Sequence, residues 1–79
     1  MTIKLYGTIT CPGCIQAKKW LEENNIDYEY ETVGETLTTD EFFDKFRFLS
    51  VPVLEIDKNN FIRGFNEEKY REAIPPRNL

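Results

Sequence analysis

Cys11 and Cys14 are the only thiols in a chain of 79 residues that has no histidine. Their spacing, Cys11-Pro12-Gly13-Cys14, is that of a dithiol–disulfide redox pair. The pair follows a short apolar strand pattern (Ile3, Leu5, Tyr6) and opens a helical one (Ile15, Ala17, Lys18, Trp20, Leu21). With Cys11 as N-cap, Pro12 falls at the first helical position, where its fixed φ suits the helix and its missing N–H is no loss. Gly13 and Cys14 follow with free backbone N–H groups directed back at the Cys11 sulfur. The partial positive charge of the helix end favours a thiolate over a thiol there. Cys14, nearly one turn further on, is close enough to attack a mixed disulfide formed on Cys11. Cys11 is therefore the expected nucleophile and Cys14 the expected resolving thiol.

Two other uses of the pair stand beside redox chemistry. A structural zinc site takes four Cys or His ligands, so zinc here would need carboxylates to complete it, and no metal is expected. A purely structural disulfide across so short a loop would remove little entropy from the unfolded chain.

The totals narrow the class. The length is that of one domain, 1–79, near the lower limit for a self-sufficient core, and six Phe, four Tyr and one Trp supply area for it. A net charge of −4 disfavours binding to a phosphate backbone, so no nucleic-acid partner is expected. No apolar run approaches the roughly 18 residues of a membrane span, and the first residues lack the basic and apolar regions of a signal peptide. A cytoplasmic protein is expected, and in that compartment a C-x-x-C is catalytic more often than structural. A monomer is expected.

The elements that must hold the pair can be taken in order. A strand is predicted over Thr2 to Tyr6, ended by Gly7, and a helix over Pro12 to Asn24, with Asn24-Asn25 as its stop. Ile15, Lys18 and Leu21 set one side of that helix, with Ala17 and Trp20 widening the apolar stripe. Tyr28 and Tyr30 alternate with acidic residues over Asp27 to Thr32, the pattern of an outer strand with one wet face, parallel to the first. Thr38 and Glu41 form a capping box for a second helix, in which Phe42, Phe46 and Leu49 recur at helical spacing beside Phe43 and Phe48. These rings are either core or, for one or two of them, an exposed surface for a protein partner. Pro52 precedes a strand Val53 to Ile56, a turn at Asp57 to Asn60 leads to a short antiparallel strand at Phe61 and Ile62, and Gly64 breaks it. Asn66 caps a third helix with Tyr70, Ala73 and Ile74 inside, stopped by Pro75-Pro76. The order β-α-β-α-β-β-α gives an α/β fold, a four-stranded mixed sheet flanked by three helices.

With these residues in view, the chain resembles a small glutaredoxin along essentially its whole length. Tyr6 and Cys-Pro-x-Cys, then Val51-Pro52, then Gly64 before an acidic helix start carry the resemblance. It implies a thioredoxin fold and thiol–disulfide oxidoreductase activity, with no bound cofactor and with glutathione as co-substrate. It also implies a cis Pro52 beside the cysteines and a Val51 backbone that pairs with glutathione or a peptide. Tyr6, Thr8, Gly64, Phe65 and Asn66 fall at the remaining substrate positions.

Several departures bear on that site. Thr8 stands where the family usually has lysine, Ser50 where it has threonine, Arg63 in place of the first of two glycines, and Asn66 in place of an aspartate. Weaker glutathione binding is expected, with Arg63, Lys45 or Arg47 as substitute carboxylate partners. The Gly64-Phe65 pair is also similar to the NrdH-type redoxins, which donate electrons to ribonucleotide reductase and are reduced by thioredoxin reductase. Two further readings remain: an iron–sulfur carrier, which needs a dimer and glutathione because one chain offers only two cysteines, and a binding module built on the Phe-rich second helix, for which Cys11→Ser would leave function intact.

Overall fold

The computed structural model describes residues 3–57 and 60–74. Its elements are β1 (Lys4–Gly7), α1 (Pro12–Glu23), β2 (Glu29–Thr32), α2 (Thr39–Phe46), β3 (Val53–Asp57), β4 (Asn60–Arg63) and α3 (Glu67–Ala73). The strands form one sheet in the order β2-β1-β3-β4. β1 runs parallel to β2 and antiparallel to β3, and β3 runs antiparallel to β4. This is the expected β-α-β-α-β-β-α chain on a mixed sheet.

The two inner strands explain the layering. Leu5 and Leu54 face one side of the sheet, where they join Ala17, Trp20 and Leu21 of α1 and Tyr70 of α3. Tyr6 and Val53, one residue along, face the other side and join Phe42 and Phe46 of α2. Strands covered on both faces must be apolar on both, and the buried positions of β1 and β3 are so but for one. The buried exception is Glu55, on the α2 side, which accepts a 3.0 Å hydrogen bond from the Tyr6 hydroxyl and pairs with Lys45 Nζ at 3.0 Å. A buried carboxylate needs such partners.

Helix starts fall where side-chain capping predicts them. Both halves of the Thr38–Glu41 capping box are formed, and the Asn66 side chain accepts from the Lys69 amide at 2.9 Å.

The differences from expectation have local causes. β1 includes Gly7, which pairs with Thr32, and Thr2 lies outside the described residues. β2 begins only at Glu29. The inner face of α1 is Cys14, Ala17, Trp20 and Leu21, whereas Ile15 is 57% exposed and Lys18 is exposed. Cys14, Ala17 and Leu21 share one stripe, and Ile15 lies about 100° round from it. Leu49 is not on the α2 stripe, because Arg47 at φ 68° ends the helix first, and Leu49 is left exposed with Phe43. The Pro75-Pro76 stop lies outside the described residues.

Candidate active site

Cys11 is the N-cap of α1, with φ −85° and ψ 116°, and Pro12 opens the helix behind it. The Cys14 amide donates to the Cys11 sulfur at 3.3 Å. On the other side the Cys11 thiol makes a long 3.9 Å donor contact to the Val51 carbonyl. Both cysteines are free thiols, Cys11 partly exposed and Cys14 buried. The helix therefore does two things at once. Its first turn aims a backbone donor at one sulfur, and its inner face puts the other sulfur into the core.

Burial pushes the Cys14 thiol up to about 11, reinforced by its hydrogen bond with the Cys11 sulfur. Its sulfur packs over Gly7: a Cβ placed on Gly7 would come within 2.5 Å of Cys14 Sγ and 2.6 Å of the Tyr30 hydroxyl oxygen. That hydroxyl donates to the Thr8 carbonyl at 2.9 Å. Gly13 has a similar use nearer the surface, since a Cβ there would stand 3.2 Å from Pro52 Cδ and 3.9 Å from Cys11 Sγ. Glycine lets the turn between the cysteines approach the proline ring. The Val51–Pro52 peptide is cis.

The structure thus brings Cys11, Cys14, Val51, Pro52 and the Thr8 backbone together. Gly64 joins them through its amide, which donates to the Pro52 carbonyl at 2.7 Å, and has φ 81°, a conformation that favours glycine. Tyr6 is not brought there. It is 3% exposed, its hydroxyl is held by Glu55, and its ring packs edge-on to Phe46 at 5.1 Å. Tyr6 lies in the core beneath α2. Asn66 caps α3 with its side-chain oxygen, and Phe65 packs edge-on to Tyr70 at 5.2 Å. Arg63 donates from Nε to Ser50 Oγ at 2.8 Å and lies 4.1 Å from the Phe48 ring centroid.

Sequence reasoning missed Gly7 and Tyr30 as neighbours of the resolving thiol. A glycine in a strand is a sign of close approach by another group, and Gly7 carried that sign. Nothing in the sequence pointed Tyr30 at Cys14.

A family model described as Glutaredoxin matches residues 3–62. The chain belongs to the glutaredoxin family. Among curated relatives, it is 38% identical over 76 residues to an uncharacterised glutaredoxin-like 8.6 kDa protein in the rubredoxin operon of Clostridium pasteurianum, covering 91% of this chain and 96% of that protein. Among solved structures, the glutaredoxin of Archaeoglobus fulgidus is similar at 25% identity and a TM-score of 0.76, over 89% of this chain and 82% of that one. The Escherichia coli NrdH-redoxin, a glutaredoxin-like protein with a thioredoxin-like activity profile, shares the fold at a TM-score of 0.80 and 23% identity, over 95% and 97% of the two chains. This glutaredoxin-family chain has the thioredoxin fold and the paired cysteines of a redox protein. No helix among its described residues is long and apolar enough to cross a membrane.

Proposed function

We propose that this chain is a dithiol–disulfide oxidoreductase. The Cys11 thiolate attacks a disulfide R–S–S–R′, forming Cys11–S–S–R and releasing R′S⁻, which takes up a proton. Cys14 then attacks the Cys11 sulfur, releasing RS⁻ and leaving an oxidised Cys11–Cys14 pair. Two electrons pass from the protein to the substrate, and a thiol reductant returns them. The supporting observation is the division of labour between the sulfurs: Cys11 is partly exposed with an amide donor aimed at it, while Cys14 is fully buried directly behind it. Only the first can meet a bulky disulfide, and the second is placed to finish the exchange.

The Val51 backbone, adjoining Cys11 through its carbonyl, pairs with the backbone of a protein substrate or of glutathione in the manner of strand addition. Glutathione is the proposed reductant and thioredoxin reductase the alternative. The alternative is favoured by one observation: the Asn66 side-chain oxygen, at a position where glutathione would be held, is already used to cap α3. Ribonucleotide reductase would be the protein substrate under that reading.

The test is a paired assay on the oxidised protein, glutathione with glutathione reductase against NADPH with thioredoxin reductase. Turnover with the first supports the glutathione reading, and turnover with the second alone replaces it with the NrdH-type one. Failure of both, with dithiothreitol also unable to reduce the pair, would overturn the oxidoreductase reading.

A further inference from the structure

Cys14 has a difficulty that Cys11 does not. It is 0% exposed and must become a thiolate to resolve a mixed disulfide. The chain has no histidine. The groups that face the site come from four elements. β1 and the loop after it contribute Gly7 and the Thr8 carbonyl. α1 contributes Cys11, and Lys18, whose Nζ lies 5.0 Å from the Tyr30 ring centroid. β2 contributes Tyr30, and α3 contributes Tyr70, which interacts electrostatically with Cys14. Among these, the Tyr30 hydroxyl and the Cys14 sulfur lie side by side over the bare Cα of Gly7, each within 2.6 Å of where a Cβ would stand, and the two side chains interact.

The geometry points to Tyr30 as a positioning residue for the resolving step, its hydroxyl turning from the Thr8 carbonyl to donate a hydrogen bond to the Cys14 sulfur as that sulfur becomes an anion. This inference rests on the dithiol reading above and adds to it a donor for the second thiol. The step balances without another reagent: Cys11–S–S–R plus the Cys14 thiol gives the Cys11–Cys14 disulfide plus RSH, the Cys14 proton ending on the departing sulfur. Tyr30 keeps its own proton throughout. Burial, then the nearby Cys14, pushes the phenol up to about 12, so it remains a donor across the working range of pH. Donation by Tyr30 opposes the rise that burial imposes on Cys14.

The experiment is stopped-flow reaction of the reduced protein with an aromatic disulfide, 5,5′-dithiobis(2-nitrobenzoate), followed by release of the coloured thiolate. The first phase reports attack by Cys11 and the second reports resolution by Cys14. Tyr30→Phe keeps the ring and removes the donor. It is expected to leave the first phase unchanged and to slow the second by about tenfold or more, as expected for losing a hydrogen bond to a charged group. The pH at which the second phase is half-maximal should also rise. Tyr28→Phe, which removes a hydroxyl bonded to Glu22 on the same strand approach, should leave both phases as in the parent protein. An unchanged second phase in Tyr30→Phe, or one slowed with no shift along the pH axis, would overturn the role of Tyr30 alone. A parent protein with no second phase would instead overturn Cys14 as the resolving thiol.

Discussion

The backbone amide of Cys14 donates to the sulfur of Cys11 at 3.3 Å, so the residue that completes the exchange also holds the residue that begins it. The contact belongs to the backbone and survives replacement of the Cys14 side chain. Cys14→Ser should therefore still form a mixed disulfide at Cys11 and should lose intramolecular release of the bound thiol. Intact-mass spectrometry after exposure to oxidised glutathione would show a stable adduct of one glutathione in the variant.

Alkylation should distinguish the two thiols by burial. In the folded reduced protein, iodoacetamide near pH 7.5 should label Cys11 and spare Cys14, whose thiol is buried and pushed up to about 11. Peptide mapping after timed quenching measures this, and equal labelling at the two positions would contradict it. The same shift sets a direction for stability. An unfolded thiol ionises near about 8.5, while folded Cys14 keeps its proton to a higher pH. The folded state then binds more protons than the unfolded state, and stability falls as pH rises from about 9 toward 11. Cys14→Ser should flatten that part of the curve.

Gly7→Ala is expected to destabilise the fold by about 1–3 kcal/mol through overpacking. The added methyl would meet Cys14 Sγ and the Tyr30 oxygen at under 3 Å. Urea denaturation of the reduced protein measures it as a lower midpoint with an unchanged slope.

Thr38→Ala should cost about 0.5–2 kcal/mol by removing half of the capping box of α2. Exchange with the aromatic disulfide should be unaltered, because nothing in that box touches the cysteines. Denaturation and stopped-flow measurements on one preparation would separate the two effects.

Glu55→Ala should be more disruptive than Glu55→Gln. Alanine leaves the buried Tyr6 hydroxyl without its acceptor, at roughly 1–3 kcal/mol. Glutamine retains an oxygen for Tyr6 and gives up only the pair with Lys45, whose side chain is 43% exposed, so that loss should stay within about 1 kcal/mol. Equal denaturation midpoints for the two variants would argue against the Tyr6 contact as the dominant one.

What the sequence made legible was whatever depends on neighbours along the chain. The Cys11 cap, the Thr38–Glu41 box and the Asn66 cap are each written within four residues, and each is formed. Alternation likewise marked β1 and β2, and turn residues and prolines marked the hairpin of β3 and β4. Helix facing was read less well, because Ile15 is more hydrophobic than Cys14 by type, yet the helix start fixes Cys14 inward and leaves Ile15 out. Tyr6 illustrates a different limit. Its place before the cysteine motif marked it as a substrate position, and its burial beneath α2 follows from its register on an inner strand, which the motif does not encode. The meeting of Gly7, Cys14 and Tyr30 joins three elements, and no local pattern encodes it.

Among the described residues the sheet ends at β2 on one side and β4 on the other, and each outer strand has a neighbouring strand on one side only. Such margins invite a foreign chain to add itself, which is how soluble proteins begin to clump. Along β2 the invitation is countered electrically, because Glu29 and Glu31 place two negative charges within four residues of the rim. A second copy arriving there margin to margin would bring its own pair of carboxylates against these, so replacing both by glutamine would remove a safeguard against fibrous association.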